Sequence, residues 1–186
     1  GRLQAIDPQR IASEVAATLP ELEYKPLTAL GDIVAHRTAM LTAYQNAAWA
    51  ARYRQLVDLV AIAEARVMPG SEKLAVMVAR NFAKLMAYKD EYEVGRLHSD
   101  PAFKAQIAAT FEDGAKLRYN LAPPLFSKRD PQTGHLLKRE FGPWMGAVFG
   151  LLARLKGLRG TAFDPFGRTA ERKMERALIT EYEALM

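Results

Sequence analysis

The chain has 186 residues, no cysteine and a formal net charge of +5. That length fits one domain, or one with a small appendage, able to bury roughly 70% of its unfolded surface without covalent staples. The missing cysteines exclude disulfides, thiolate chemistry and cysteine-ligated iron–sulfur clusters within this stretch, and they fit a reducing, cytoplasmic setting.

No apolar run approaches the ~20 residues that span a bilayer, and no signal-peptide pattern is visible, so no membrane partner is expected. The first residues, GRLQAIDPQR, contain no Met, as expected for a piece of a longer chain. Charge is uneven. Gly1 to Glu93 holds 11 basic and 11 acidic residues, whereas Val94 to Met186 holds 15 and 10. A basic second half suits an anionic partner, although a solvated surface has the same composition.

Asp7-Pro8 pairs a capping side chain with proline at the first helical position, predicting a short helix over 8–18 that Pro20 ends. Residues 21–28 read as a connector. Thr28 or Asp32 then starts a helix running to about Val67, where Pro69-Gly70 breaks it. Its apolar residues Val34, Leu41, Tyr44, Ala48, Trp49, Tyr53, Leu56 and Val60 mark it as the central helix of a bundle.

Ser71 starts the next helix, without the Glu or Gln at position 74 that a capping box needs. Its core stripe is Leu74, Val78, Phe82, Leu85, Tyr88 and Tyr92. The helix closes on KLMAYKDEYEVGRL, residues 84–97, around which the chain is organised. There Tyr88 and Tyr92 share one face, and Lys89, Glu93 and Arg96 form a charge ladder on the next. Asp90 and Glu91 complete a mixed-sign patch. Asp100-Pro101 repeats the cap-plus-proline signal for a helix over 101–111.

The period then changes. KLRYNLAPPLF and LLKREF read as strands, and Asp130-Pro131-Gln132-Thr133-Gly134 as turn chemistry, predicting a β-hairpin near 115–140. Pro123 and Pro124 confine its first strand to an edge. A helix over 143–158 follows, with Trp144, Val148, Leu151, Leu152 and Leu155 as its apolar face, ended by Gly157 and Gly160. The last helix spans 170–185, with Met174, Leu178 and Tyr182 inward. The predicted fold is mainly α, a helical bundle with one small β-hairpin.

Few residues suggest chemistry. Gly31-Asp32 lacks the third residue and the spacing of a thiamine diphosphate motif, and no glycine run fits a nucleotide loop. His36, His98 and His135 share no ligand-like spacing and read as ordinary surface or capped histidines. The Lys89–Glu93–Arg96 ladder is either a functional network or a set of surface pairs. Asp90 or Glu93 is a candidate base. The loop 164–168, with Arg168 and Arg172, either holds an anion at the start of the last helix or is pinned by an Asp–Arg contact.

Several segments match one family together: LTAYQNAAWAARYR, KLMAYKDEYEVGRL, YNLAPPLF, DPQTGH, FGPWM and LLARLKGLRGTAFDPFGRTAERKMERALI. The chain resembles the C-terminal domain of the fused bacterial indolepyruvate ferredoxin oxidoreductases, from about Asp32 to Met186. The resemblance implies residues 1–30 as a junction with a preceding domain similar to the gamma part of pyruvate ferredoxin oxidoreductase, and residues 31–186 as a C-terminal domain. It implies a parent that decarboxylates an aryl 2-oxoacid with thiamine diphosphate and passes electrons through iron–sulfur clusters to ferredoxin. The cofactor motifs belong to other domains, so this stretch is expected to hold no catalytic, cofactor or metal residue.

Its role would be structural or docking, with the parent's other domains and ferredoxin as partners. Gly114 to Arg176 holds 13 basic and 5 acidic residues. Lys128, Arg129, Lys138 and Arg139 flank the predicted hairpin turn and are candidates for steering an acidic ferredoxin or for gripping an acidic surface of the parent enzyme. The competing reading is a stand-alone basic nucleic-acid-binding protein, the less favoured of the two.

Overall fold

Two neighbouring helices carry buried alanines where larger side chains would hold them apart, and the bundle forms around that close approach. In this computed structural model the described residues are 26–111, 117–121, 137 and 139–186. Helices α1 (Leu30–Tyr44), α2 (Ala47–Val67) and α3 (Lys73–Met86) pack against one another, and α7 (Ala170–Leu185) lies on α3. Ala50 of α2 and Ala75, Ala79 and Ala83 of α3 are all buried. Between them the Tyr53, Phe82 and Tyr182 rings stack, with centroids 6.2 and 5.6 Å apart. Ile33, Leu41, Val57, Val60, Val78, Met86 and Ile179 complete the core. Burial pushes the Tyr53 phenol up to about 12, and its hydroxyl donates to the Ala79 carbonyl at 3.1 Å.

A second layer pairs α4 (Glu91–Ser99) with α6 (Met145–Arg154). Gly95 makes the pairing possible, because a Cβ there would stand 2.7 Å from Leu152 Cβ and 2.9 Å from the Phe149 carbonyl oxygen. Helix α5 (Pro101–Thr110) follows, capped by Asp100 as expected. The hairpin is present: β1 (Tyr119–Leu121) pairs antiparallel with β2 (Arg139–Phe141), Tyr119 opposite Phe141 and Leu121 opposite Arg139. Arg118 pairs with Glu140 beside it. The predicted helix over 8–18, the hairpin turn, Lys128, Arg129 and Lys138 lie outside the described residues.

Four expectations need correction. The helix predicted to run to Val67 is two. Asn46 is extended, and its side chain accepts from Trp49 N at 2.9 Å, capping α2. An Asn side chain competes for backbone in this way, which is why it ends one helix and starts another. The helix carrying residues 84–97 is also two, because Asp90 caps α4 through Glu93 N at 2.8 Å. The cap of α3 is not local. Glu64, in the last turn of α2, accepts from Leu74 N at 3.0 Å, Ala75 N at 2.8 Å and the Ser71 hydroxyl at 2.7 Å.

The fourth correction concerns faces. Leu74 is exposed in α3. In α6 the buried pair is Met145 and Phe149, and Trp144, Leu151 and Leu155 are exposed. The helix itself ends at Arg154 and continues as a 3-10 turn, Leu155–Leu158. Helix α7 has its expected bounds but buries Ile179, leaving Met174 and Leu178 exposed. Period alone locates a stripe; it does not say which of two stripes finds a partner.

Candidate functional site

Each helix break frees carbonyl groups that need donors. The two breaks, at 45–46 and 87–90, face each other, and side chains from the rest of the chain satisfy both. At the end of α1, Lys156 Nζ donates to the Ala43 carbonyl at 2.5 Å, and Arg159 Nη1 donates to the Tyr44 carbonyl at 2.8 Å. Two cations at a helix C-terminus also complement its dipole. At the second break, Trp49 Nε1 donates to the Met86 carbonyl, the Tyr44 hydroxyl to the Tyr88 carbonyl, and Arg172 Nη2 to the Lys89 carbonyl.

Arg159 is the centre. It is buried, and so is Asp90. Arg159 Nε lies 2.5 Å from Asp90 Oδ2 and Nη2 lies 2.9 Å from Oδ1, a bidentate pair. Nη1 also donates to Gln45 Oε1 at 2.6 Å. The guanidinium sits 3.7 Å from the Tyr44 ring centroid, a cation–π contact in a dry setting. Burial holds the Tyr44 phenol well above its ordinary range, with Arg159 opposing.

Asp164 forms the other wall. Tyr92 donates its hydroxyl to Asp164 Oδ1 at 3.1 Å, Phe166 N donates to the same oxygen and Gly160 N to Oδ2 at 2.8 Å. A Cβ on Gly167 would stand 2.4 Å from Asp164 Oδ2. The loop is therefore pinned by tyrosine and backbone amides, not by the expected Asp–Arg contact. Arg168 instead bonds the Ala162 carbonyl. Arg172 is held by Glu175 at 2.6 Å, with Glu91 3.8 Å away.

The predicted charge ladder is only partly assembled. Glu93 and Arg96 form a bidentate pair at 2.7 and 2.8 Å. Lys89 stands in the linker before α4, and its role is its carbonyl. Arg139 is exposed at the start of β2. Sequence reasoning missed Arg159 and Tyr44. The available signal was a second basic residue three positions after Lys156, between Leu158 and Gly160.

Neither candidate base is free, since both oxygens of Asp90 and of Glu93 are engaged by guanidinium groups. Glu91 differs. Burial raises its pKa, and its buried Oε2 has no hydrogen-bond partner. His98 stacks on Phe149 at 4.7 Å, with Tyr119 and Phe103 edge-on, and burial lowers its pKa.

Among the described residues no group of three or more His, Cys, Asp or Glu is placed to hold a metal. The chain has no cysteine to ligate an iron–sulfur cluster. The arrangement locks five chain segments into one another with charge and rings.

No curated protein and no solved structure matches the chain. The model of DUF6537, a family of unknown function, matches residues 30–186. With nearly the whole bundle covered by that match, the chain belongs to the DUF6537 family.

Proposed function

We propose that this domain is a non-catalytic structural and docking domain of an indolepyruvate-type 2-oxoacid:ferredoxin oxidoreductase. Its parent decarboxylates an aryl 2-oxoacid and reduces ferredoxin in the cytoplasm, with thiamine diphosphate and iron–sulfur clusters held by upstream domains. One observation supports this reading. Two segments of the resemblance, 84–97 and 151–179, meet at the Arg159–Asp90 pair, and Arg172 of the second lies against Glu91 of the first. Segments used this way build a rigid shape, which is what a docking domain requires. Among the described residues no helix is long and apolar enough to cross a membrane.

The test begins with the full reading frame and continues with the full-length protein. Aryl 2-oxoacid should drive ferredoxin reduction that depends on coenzyme A and thiamine diphosphate, while the 186-residue chain alone is inactive. A reading frame without thiamine-binding and cluster-binding domains ends this proposal.

The basic second half gives the domain a further role in the same reaction. Lys128, Arg129, Lys138 and Arg139 steer an acidic ferredoxin toward the enzyme. Changing all four to Glu should slow ferredoxin reduction at low salt and leave a small neutral acceptor unaffected. Equal rates across the salt series would dispose of steering.

A further inference from the structure

Two carboxylates compete for one guanidinium where α7 meets the start of α4. Arg172, in the first turn of α7, donates from Nη1 to Glu175 Oε2 at 2.6 Å and from Nη2 to the Lys89 carbonyl at 3.0 Å. Its guanidinium stands 5.7 Å from the Tyr88 ring centroid. Nη2 also lies 3.8 Å from Glu91 Oε2, too far for a hydrogen bond. That oxygen is shut off from solvent and accepts from no donor. A buried carboxylate oxygen left this way destabilises the ionised form.

Exposure separates the two acids. The Glu91 side chain is 17% exposed and that of Glu175 29%. Glu175 can exchange the guanidinium for water more readily than Glu91 can. About 1 Å of travel brings Nη2 from its present place to the ~2.8 Å of a charge-assisted hydrogen bond with Glu91. Rotation of the Arg172 side chain supplies that without moving either helix. Nη2 carries two N–H groups, so it can keep the Lys89 carbonyl while it bonds Glu91.

The charges around Glu91 come from several elements. Arg172 faces it from α7, with Glu175 on the far side of the guanidinium. Asp90 faces it from the linker and is paired with Arg159 of the turn after α6. Asp164 faces it from the loop before α7 and accepts from Tyr92. Burial raises the Glu91 pKa, with its own backbone amide and Arg172 opposing.

We propose that Arg172 is a two-position clamp, holding Glu175 while Glu91 carries a proton and swinging to Glu91 when Glu91 ionises. The swing moves the group that holds the Lys89 carbonyl, so it acts on the linker that carries Asp90. One proton on Glu91 thereby sets how α7 is tied to the segment between α3 and α4. The clamp lies wholly within this chain and operates whatever reaction the parent performs.

The experiment compares the whole chain with Glu175→Gln, Glu91→Gln and the double variant by urea midpoint, in steps from pH 8 to 5 at constant ionic strength. In parallel, the Glu91 carboxyl carbon of the wild type is titrated by carbon-13 NMR. At pH 8 Glu175→Gln should match wild type, because Arg172 is then on Glu91. In the Glu91→Gln background, where a neutral amide stands for the protonated acid, the same change should lower the midpoint by roughly 0.2–0.5 M at every pH. As pH falls, Glu175→Gln should acquire that loss in the otherwise wild-type chain. It should do so at the pH where Glu91 takes up its proton, above the ordinary value of about 4.3.

An equal loss in both backgrounds at pH 8 would mean that Arg172 never leaves Glu175, and it overturns the clamp. So does the absence of loss in both, since Glu175 would then never hold the guanidinium. A loss that appears at a pH where Glu91 does not titrate assigns the change to another group and overturns it as well. A Glu91 carboxyl that titrates at or below the ordinary value overturns it without recourse to any variant, so the test stands even if one of them fails to fold.

Discussion

Arg159 and Asp90 are 69 residues apart in sequence and form a buried bidentate pair, 2.5 and 2.9 Å between donors and acceptors. Asp90 simultaneously caps α4, and Arg159 simultaneously satisfies the end of α1. One ion pair therefore fixes two helix termini and the turn after α6. A buried pair of this kind contributes little net stability over an apolar substitute, yet breaking it strands a charge.

Replacing Arg159 by Met should destabilise the domain by about 3–5 kcal/mol, because Asp90 is left buried and uncompensated. Asp90→Asn in the same background should recover part of that loss. Arg96→Gln, which breaks the more exposed pair with Glu93, should cost about 1 kcal/mol or less. Urea denaturation of the three variants checks the order. A cost for Arg159→Met no larger than for Arg96→Gln would show that Asp90 is not stranded.

Much of the fold was legible in the residues. Turn chemistry located the hairpin, Asp100-Pro101 located α5, and α7 has its predicted bounds. The breaks at Asn46 and Asp90 were not read, although both residues are good caps. Each lies inside an apolar pattern that continues in phase across the break, so periodicity runs straight through. The cap of α3 was out of reach for a different reason: Glu64 is ten residues from the Leu74 amide it serves. Of the site, the Glu93–Arg96 pair is local and was picked from its spacing, but the contact that ties Arg172 to Lys89 is tertiary. Arg172 bonds the Lys89 carbonyl, 83 residues away, and no local pattern encodes that.

Glycine at 95 should be required by contact rather than by backbone freedom. Gly95→Ala gains helix propensity of up to about 1 kcal/mol but forces a methyl group against Leu152 and the Phe149 backbone. Overpacking typically costs about 1–3 kcal/mol, so the net change should be destabilising. Gly150→Ala, in α6 with nothing within 4 Å of its Cβ position, should stabilise by about 0.5–1 kcal/mol. Thermal melting of the two variants should therefore shift in opposite directions. A stabilised Gly95→Ala would mean that α4 and α6 are not packed this closely.

Glu64 should give part of the acid limb of the stability curve. The Ser71 hydroxyl, followed by the α3 amides, holds its carboxyl below the ordinary range. Its folded pKa is depressed, so its contribution is present above the unfolded value of about 4.3. That contribution fades as pH falls through the folded value. Glu64→Gln should be less stable than wild type at pH 7, and the gap should close on acidification below about pH 4. A gap that stays constant across that range would remove the charge from the cap.

His98 should give a separate slope at milder pH. Its ring lies against Phe149 and edge-on to Tyr119 of β1, and its buried Nδ1 has no hydrogen-bond partner. Burial first, and the Lys89 charge second, hold its pKa below the ordinary value. The sign follows from which state takes the proton first. As pH falls through about 6.5, the unfolded chain protonates while the folded imidazole stays neutral. Stability should therefore decline over that interval and level off only below the folded pKa. His98→Phe keeps a ring on Phe149 and removes the proton. Urea midpoints at pH 7.5, 6.5 and 5.5, at constant ionic strength, should fall for wild type and fall less for the variant. Parallel slopes for the two proteins would mean that His98 takes up its proton as readily folded as unfolded.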